Sequence, residues 1–344
     1  MAASLDILGG QGVQAASLID ELARDGYAVT FLPINPRFPP PVRRVRGIPY
    51  VRTAINQLLY LPSLAQLAFV DIVHVFSASY WSFLLAPVPA MAVARTLGKR
   101  VVLHYHSGEA DDHLANWGRF VHPWLRLAHE IVVPSEYLRT VFVRHGYGVR
   151  VIPNVVDLSR FGYRDRAPLC PRFLSARNLE PGYRVDVVVE AFARLKAAVP
   201  DATLTVAGYG SEETRLRRLA GTLVGESVRF VGKIDPADMP ALYAGADVFV
   251  NASVVDNQPV SIIEALSSGL PVVSTPTGDI EFMLRHGRAG VLVPPDDPRA
   301  MADAMLALWR EPDRARRLAR RARAEAERYT WSAVRHRWAE AYAC

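Results

Sequence analysis

Short apolar runs alternate along the chain with stretches whose apolar positions recur every three or four residues. In the first half the runs YAVTFLPI, DIVHVF, RVVLHYH, EIVVP and VRVIP read as strands; in the second, RFLSA, ATLTVAG, VRFVG, ADVFVN, LPVVST and AGVLVP do so. Amphipathic patterns such as VQAASLIDELARDG and VDVVVEAFARLKAAVP lie between them and predict helices. Strands that alternate with helices form parallel sheets covered on both faces, so the fold class is α/β, doubly wound. The stretch from Asp157 to Pro171, DLSRFGYRDRAPLCP, has no periodic run and reads as an inter-domain linker. Two α/β domains facing a cleft follow, with ligands expected at the carboxyl ends of the strands. The start is unusual, because only a few residues precede the glycines of LGGQG. Either SLDIL forms a minimal first strand, or the natural chain starts upstream of Met1.

Composition supports two cores, since the 344 residues are 50% hydrophobic. Cys170 and Cys344 offer neither a disulfide framework nor zinc spacing, and no secretory leader opens the sequence, so a cytoplasmic location is expected. The uncharged run Val75 to Ala94 contains Ser77, Ser79, Ser82, Pro87 and Pro89, and reads as a strand end and a helix rather than a membrane span. The net charge is +6, and Arg37, Arg43, Arg44, Arg46 and Arg52 crowd one proline-rich loop just before the amphipathic stretch YVRTAINQLLYLPSLAQLAF. That neighbourhood suits peripheral contact with an anionic membrane surface; a solvated loop over a core helix is the plainer reading. No nucleic-acid motif is present. Residues 310–328 carry eight arginines against four acids and read as a solvated helix face. After Tyr329, Thr330 caps a last helix in which Trp331, Val334 and Trp338 share helical spacing.

The stretch Asn251 to Pro271, NASVVDNQPVSIIEALSSGLP, carries the chemistry. Proline suits the start of a helix, so one is expected from about Pro259, with Asn257 or Gln258 as cap and a stop at Gly269. Asp256 then precedes the helix, and Glu264 lies on the face of Val260 and Ser261. Free amides and two carboxylates at a helix start can grip a ligand that bears both phosphate and hydroxyls. A capping Asp256 and a solvated Glu264 give a purely structural account of the same residues. Arg177 follows the strand RFLSA, where its fork could hold a diphosphate or pair with Glu180 or Asp186. Gly208 and Gly210 end another strand before a helix capped by Ser211, which fits either close approach of a nucleotide or a plain turn. His104 and His106 lie on one side of the strand RVVLHYH. The polar loop after it lacks metal-ligand spacing, so His106 reads as a hydrogen-bonding group and no metal is expected. Hydrolase, P-loop and dinucleotide fingerprints are absent from the sequence.

Together these residues resemble the retaining glycosyltransferases of family four, also called group 1, with the GT-B fold of two Rossmann-like domains. The resemblance spans nearly the whole chain and is strongest from Phe173 to Pro295. It implies an amino-terminal acceptor domain, residues 1–165, with a helix at 330–344 crossing back to it, and a donor domain, residues 166–329. It implies that Glu264 holds the nucleotide ribose and that Asp256 meets the donor sugar's hydroxyls. Asn257, Pro259, Val260 and Ser261 would face sugar and phosphate, with Gly10, Gly12, Gly208 and Gly210 beside the nucleotide. Arg177 would hold the diphosphate, and His106 would lie near the transferred sugar. The implied reaction moves a hexose from a nucleotide diphosphate sugar to an acceptor hydroxyl, lipid-linked or a polysaccharide precursor, without metal or cofactor. The pattern departs from the family in three places. Asp256 stands where a Glu is usual, Tyr183 stands where many members have a lysine, with Arg184 adjacent, and the opening strand is short. A non-catalytic scaffold that binds a nucleotide sugar or a partner, and a sugar-nucleotide epimerase, are the alternative readings.

Overall fold

The structure, a computed structural model, describes residues 1–4, 10–39 and 48–343. Gly9, most of SLDIL, Cys344 and the arginines 43, 44 and 46 lie outside the described residues. The chain separates into two compact units, Met1–Val155 together with the stretch from Val334 onward, and Val156–Ala333.

The first unit contains α1 (Gly10–Arg24), α2 (Pro49–Ser63), β1 (Ile72–Ser77), α3 (Tyr80–Leu85), α4 (Pro87–Thr96) and β2 (Arg100–Tyr105). It continues through α5 (Ala110–Asn116), α6 (Gly118–Leu125), β3 (Glu130–Val133), α7 (Glu136–Arg144) and β4 (Arg150–Val151). Among the described residues the strands form one parallel sheet in the order β1-β2-β3-β4. From Val101 to Tyr105 every residue of β2 is buried, which is why it reads as an unbroken apolar run rather than an alternating one.

Among the described residues YAVTFLPI, expected to be a strand, forms no ladder. Its one bridge pairs Pro33 with Ala2, supported by Ile34 N–H donating to the Ala2 carbonyl at 2.9 Å. Met1 completes this contact on the other side: its amine donates to the His74 carbonyl at 2.6 Å, and its carbonyl accepts from Phe76 N–H at 2.9 Å. Among the described residues, Met1 and Ala2 thus stand between this segment and β1. A cavity of about 360 Å³ adjoins them, with Leu18, Leu22, Phe31, Leu67 and Val73 in its wall.

The second unit contains β5 (Arg172–Ala176), α8 (Val185–Ala198), β6 (Thr203–Ala207), α9 (Glu213–Ala220), β7 (Val228–Gly232) and α10 (Met239–Ala244). Then come β8 (Val248–Asn251), α11 (Val260–Ser267), β9 (Val272–Ser274), α12 (Ile280–Met283), β10 (Val291–Leu292), α13 (Pro298–Arg310) and α14 (Pro312–Ala326). Its sheet is parallel throughout, in the order β10-β9-β8-β5-β6-β7. Successive strand residues enter opposite cores: Phe173, Val248 and Val273 pack with α8 and α13, whereas Leu174, Phe249 and Val272 pack with α11 and Tyr243. The sheet is therefore doubly wound. Its order reverses between β5 and β8, and the loops leaving those two strands are where such sheets place ligands.

The stretch Asp157 to Pro171 packs against the second unit. Leu158 and Phe161 enter its core. The buried Arg166 donates to the carbonyls of Ala246 at 2.9 Å, Ser268 at 2.8 Å and Gly269 at 3.0 Å. The last helix, α15 (Trp331–Tyr342), starts at Thr330, whose hydroxyl accepts from Ala333 N–H at 3.3 Å. Within the first unit Trp338 packs its ring on His74 and His104, and the Tyr342 hydroxyl hydrogen-bonds His74 at 2.7 Å.

Candidate active site

Arg177 is the first residue after β5, and Asp256 lies in the loop that leaves β8, so the two meet where the strand order reverses. Arg177 Nη2 donates to Asp256 Oδ2 at 2.5 Å, and Nη1 donates to Ser261 Oγ at 3.1 Å. The guanidinium lies 4.3 Å over the Tyr183 ring, a cation–π contact that fixes its plane. Both members of the pair are largely buried, with 9% of the Arg177 side chain and 10% of the Asp256 side chain exposed. The surface pairing with Glu180 or Asp186 is absent: Glu180 accepts from Ser211, and Asp186 pairs with Arg184 and Arg215. Arg184 also pairs with Asp296, so its charge is already engaged.

Asp256 is held from three directions. Its Oδ1 accepts from Asn257 N–H at 3.0 Å, and its Oδ2 accepts from Ser253 Oγ at 3.1 Å besides Arg177. Gly278, at φ +60, packs so closely that an added Cβ would stand 2.5 Å from the Asp256 carbonyl oxygen. Asp256 therefore does not cap α11. Neither Asn257 nor Gln258 does either: both are buried, Gln258 donates to Asp279 at 2.9 Å, and the cap position is Pro259, which has no side-chain hydrogen bond to give. The amides of Val260 and Ser261, in the first turn, have no preceding helical carbonyl to bond and sit at the positive end of the helix.

Glu264 projects one turn further on and is half-buried rather than a fully solvated surface residue. Tyr243, fully buried on α10, donates its hydroxyl to Glu264 Oε2 at 2.8 Å and lies 3.0 Å from the Ser261 carbonyl. Burial pushes the Glu264 carboxyl up to about 7, and the Tyr243 hydrogen bond offsets part of that shift. Asp256, Arg177, Ser261, Tyr243 and Glu264 form one connected network. Tyr243 and Ser253 escaped sequence reasoning, although a tyrosine in an apolar helix face signals a hydroxyl in need of a partner.

Gly208 and Gly210 pack on the backbone beneath them, and Gly10 and Gly12 fall inside a helix. Gly208, at φ +140, abuts the Arg177 carbonyl, 1.9 Å from where a Cβ would lie, and Gly210 abuts that of Leu179 at 2.3 Å. Their bareness lets the loop after β6 pack under the loop that carries Arg177. Ser211 bonds Glu180 and caps nothing; the helix starts at Glu213. Gly10 and Gly12 lie inside the first turns of α1, not in a loop before it. Gln11 donates to the Ser77 carbonyl at 3.1 Å, which sets this helix start beside the carboxyl end of β1.

His106, also in the first unit, follows β2; its ring stacks on Phe76 at 5.2 Å and lies tilted against His104 at 4.1 Å. Burial lowers its pKa to about 3, so the ring is neutral. Its Nε2 is buried without a hydrogen-bond partner among the described residues. No group of three His, Cys, Asp or Glu side chains among the described residues is arranged to hold a metal ion, and no described helix is long and apolar enough to cross a membrane.

Comparison with known proteins bears on the family and the fold. The family model "Glycosyl transferases group 1" matches residues 170–311, and "Glycosyltransferase Family 4" matches residues 8–160. The phosphatidyl-myo-inositol mannosyltransferase of Mycobacterium leprae is 28% identical over 277 residues, which is 77% of this chain and 71% of that protein. Among solved structures, sucrose-phosphate synthase of Thermosynechococcus elongatus superposes with a TM-score of 0.73 at 21% identity, over 99% of this chain and 94% of that one. HepE of Anabaena superposes with a TM-score of 0.70 at 19% identity, over 83% of each chain. At these identities the structures speak for the fold alone. With two family models that together span most of its length, the chain belongs to the glycosyltransferases of family 4, group 1, and has their GT-B fold.

Proposed function

We propose that the protein moves a hexose from a nucleotide diphosphate sugar to an acceptor hydroxyl with retention of configuration. The network of Asp256, Arg177, Ser261, Tyr243 and Glu264 at the sheet's reversal point carries this reading. Glu264 accepts hydrogen bonds from the ribose, and Asp256 from the donor sugar. Arg177 and the amides of Val260 and Ser261 receive the charge that grows on the departing diphosphate. Fixed donors of this kind supply most of the catalysis, since they need no reorganisation as charge develops. The leaving diphosphate takes the acceptor's proton on the face it has just vacated, so no separate base is required. HepE of Anabaena has been crystallised with UDP and with UDP-glucose, in keeping with a nucleotide-sugar donor here.

The acceptor is a sugar or a lipid-linked sugar presented at a membrane surface. From Gly26 to Val70 the sequence holds five arginines and no acid. On α2, Tyr50, Leu58 and Leu61 share a solvent-facing stripe, exposed by 90%, 73% and 47%. Arg177 is already neutralised by Asp256, and Tyr183 adds no charge. That favours one other reading, a scaffold that binds the nucleotide sugar without turnover. A donor panel that scores nucleoside diphosphate release, with and without acceptor glycosides, separates the two. Release stimulated by an acceptor supports transfer; tight donor binding with no release supports the scaffold.

A further inference from the structure

At the carboxyl end of β1 the backbone turns through Tyr80 at φ +58, a conformation that a bulky side chain adopts only when its surroundings impose it. Those surroundings are visible. Ser79 Oγ meets the Tyr105 hydroxyl at 2.8 Å, and that hydroxyl meets His113 Nδ1 at 2.7 Å, which ties the turn to β2 and α5. Tyr80 lays its ring edge-on to His113 at 5.3 Å and to Trp117 at 5.5 Å, and donates its hydroxyl to Asp112 Oδ2 at 2.6 Å. Asn116 donates to Asp112 Oδ1 at 2.6 Å. The result is a braced aromatic shelf whose outermost member is Trp81.

Trp81 is 64% exposed, yet its indole is not loose: it stands at 87° to Trp117 with centroids 5.5 Å apart. A single exposed apolar side chain needs no explanation. A tryptophan locked edge-on to a second one, beside a strained turn at a strand's carboxyl end, does, because that is where α/β sheets carry their ligands. The exposed indole offers a flat π-face with negative charge density, which complements the weakly positive C–H face of a pyranose. Asp112, bonded to the neighbouring Tyr80, and Asn116, the residue before Trp117, are both exposed, and the carboxylate's remaining lone pairs and the amide can bond the hydroxyls at that ring's rim. A lipid tail would use the indole but not these polar groups.

We infer that Trp81, with Asp112 and Asn116, forms a binding site for a pyranoside, the sugar of the acceptor. This deepens the reading of the protein as a sugar-transferring enzyme and rests on it. The site lies wholly in the first unit, so it can be tested apart from the donor network.

Saturation-transfer NMR on the full chain, with methyl α-mannoside, methyl α-glucoside and methyl β-N-acetylglucosaminide as probes, is the direct test. At least one probe should receive saturation at its ring protons. The effect should fall at least tenfold in Trp81→Ala, and be partly restored in Trp81→Phe, which keeps a smaller ring. Thermal melts check that each variant folds; with its exposed side chain, Trp81 contributes little to the core. UDP titration of the same samples reports on the second unit separately, so a failed donor reading and a failed acceptor site are told apart. Saturation equal in wild type and Trp81→Ala, or none for any probe, overturns the inference. So does a Trp81→Ala variant whose only defect is weaker pelleting with vesicles of phosphatidylglycerol, which would assign the shelf to a lipid surface.

Discussion

Arg177 and Asp256, the first from the loop after β5 and the second from the loop after β8, form an ion pair of 2.5 Å across the point where the strand order reverses. A pair this buried is costly to break from one side, because the partner is left charged and desolvated. It also sets each group's geometry before any ligand arrives.

Arg177→Ala should therefore cost stability, on the order of 3 kcal/mol, as well as activity, by about 10²- to 10³-fold in turnover. Arg177→Lys keeps the charge but loses the planar fork and the stacking on Tyr183, and should fall at least about tenfold below wild type. Thermal melts and initial rates measured together check both; a lysine variant with wild-type rates would show that the fork is not used.

The pH dependence follows from Glu264. Burial raises its carboxyl from 4.5 to about 7, so the folded protein holds this proton more tightly than the unfolded chain. The stability this group contributes is complete below the unfolded value and is lost as pH rises through about 7, by up to about 1.4 kcal/mol per pH unit. Donor binding runs the other way. Ribose hydroxyls need the ionised carboxylate as acceptor, so affinity should rise as pH increases towards 7, by at most about tenfold per unit, and then level off. Calorimetric UDP titrations across that range should show the rise in wild type and a flat profile in Glu264→Gln.

Tyr243→Phe removes the hydroxyl that bonds Glu264 while keeping the ring. Leaving a buried acceptor unmet should cost about 1–3 kcal/mol of stability. The carboxyl pKa should climb further, which moves the affinity rise to higher pH. An unchanged pH profile in this variant would mean that Tyr243 does not govern Glu264.

Membrane contact is tested on the stripe of α2. Leu58→Glu and Leu61→Glu together, or alanines at positions 43, 44 and 46, should reduce pelleting with vesicles containing phosphatidylglycerol, the arginine variant most strongly at low salt. Equal pelleting of wild type and both variants would discard the membrane surface.

Much of the fold was legible because its strands are buried on both faces, and RVVLHY, RFLSA and VFVN announce that by composition alone. YAVTFLPI has the same composition, yet among the described residues it makes only a single bridge, because pairing depends on partners that composition does not report. In the site, Asp256, Arg177 and Glu264 could be found from spacing and strand position. The partners that decide their chemistry could not. Tyr243 comes from a different helix, Tyr183 acts through its ring face, and the glycines at 208 and 210 answer to the backbone beneath them. The expected caps at Gln258 and Ser211 failed because each side chain has a tertiary partner, Asp279 and Glu180, and Asn257 is buried while the cap position falls on Pro259.

The central claim, that the reversal point of the second sheet grips a nucleoside diphosphate, is tested most directly by calorimetric titration of UDP and GDP into wild type, Arg177→Ala and Glu264→Ala. The account predicts saturable binding of at least one nucleotide to wild type, weakened at least about tenfold in each variant. Binding that both variants retain at wild-type strength would contradict it.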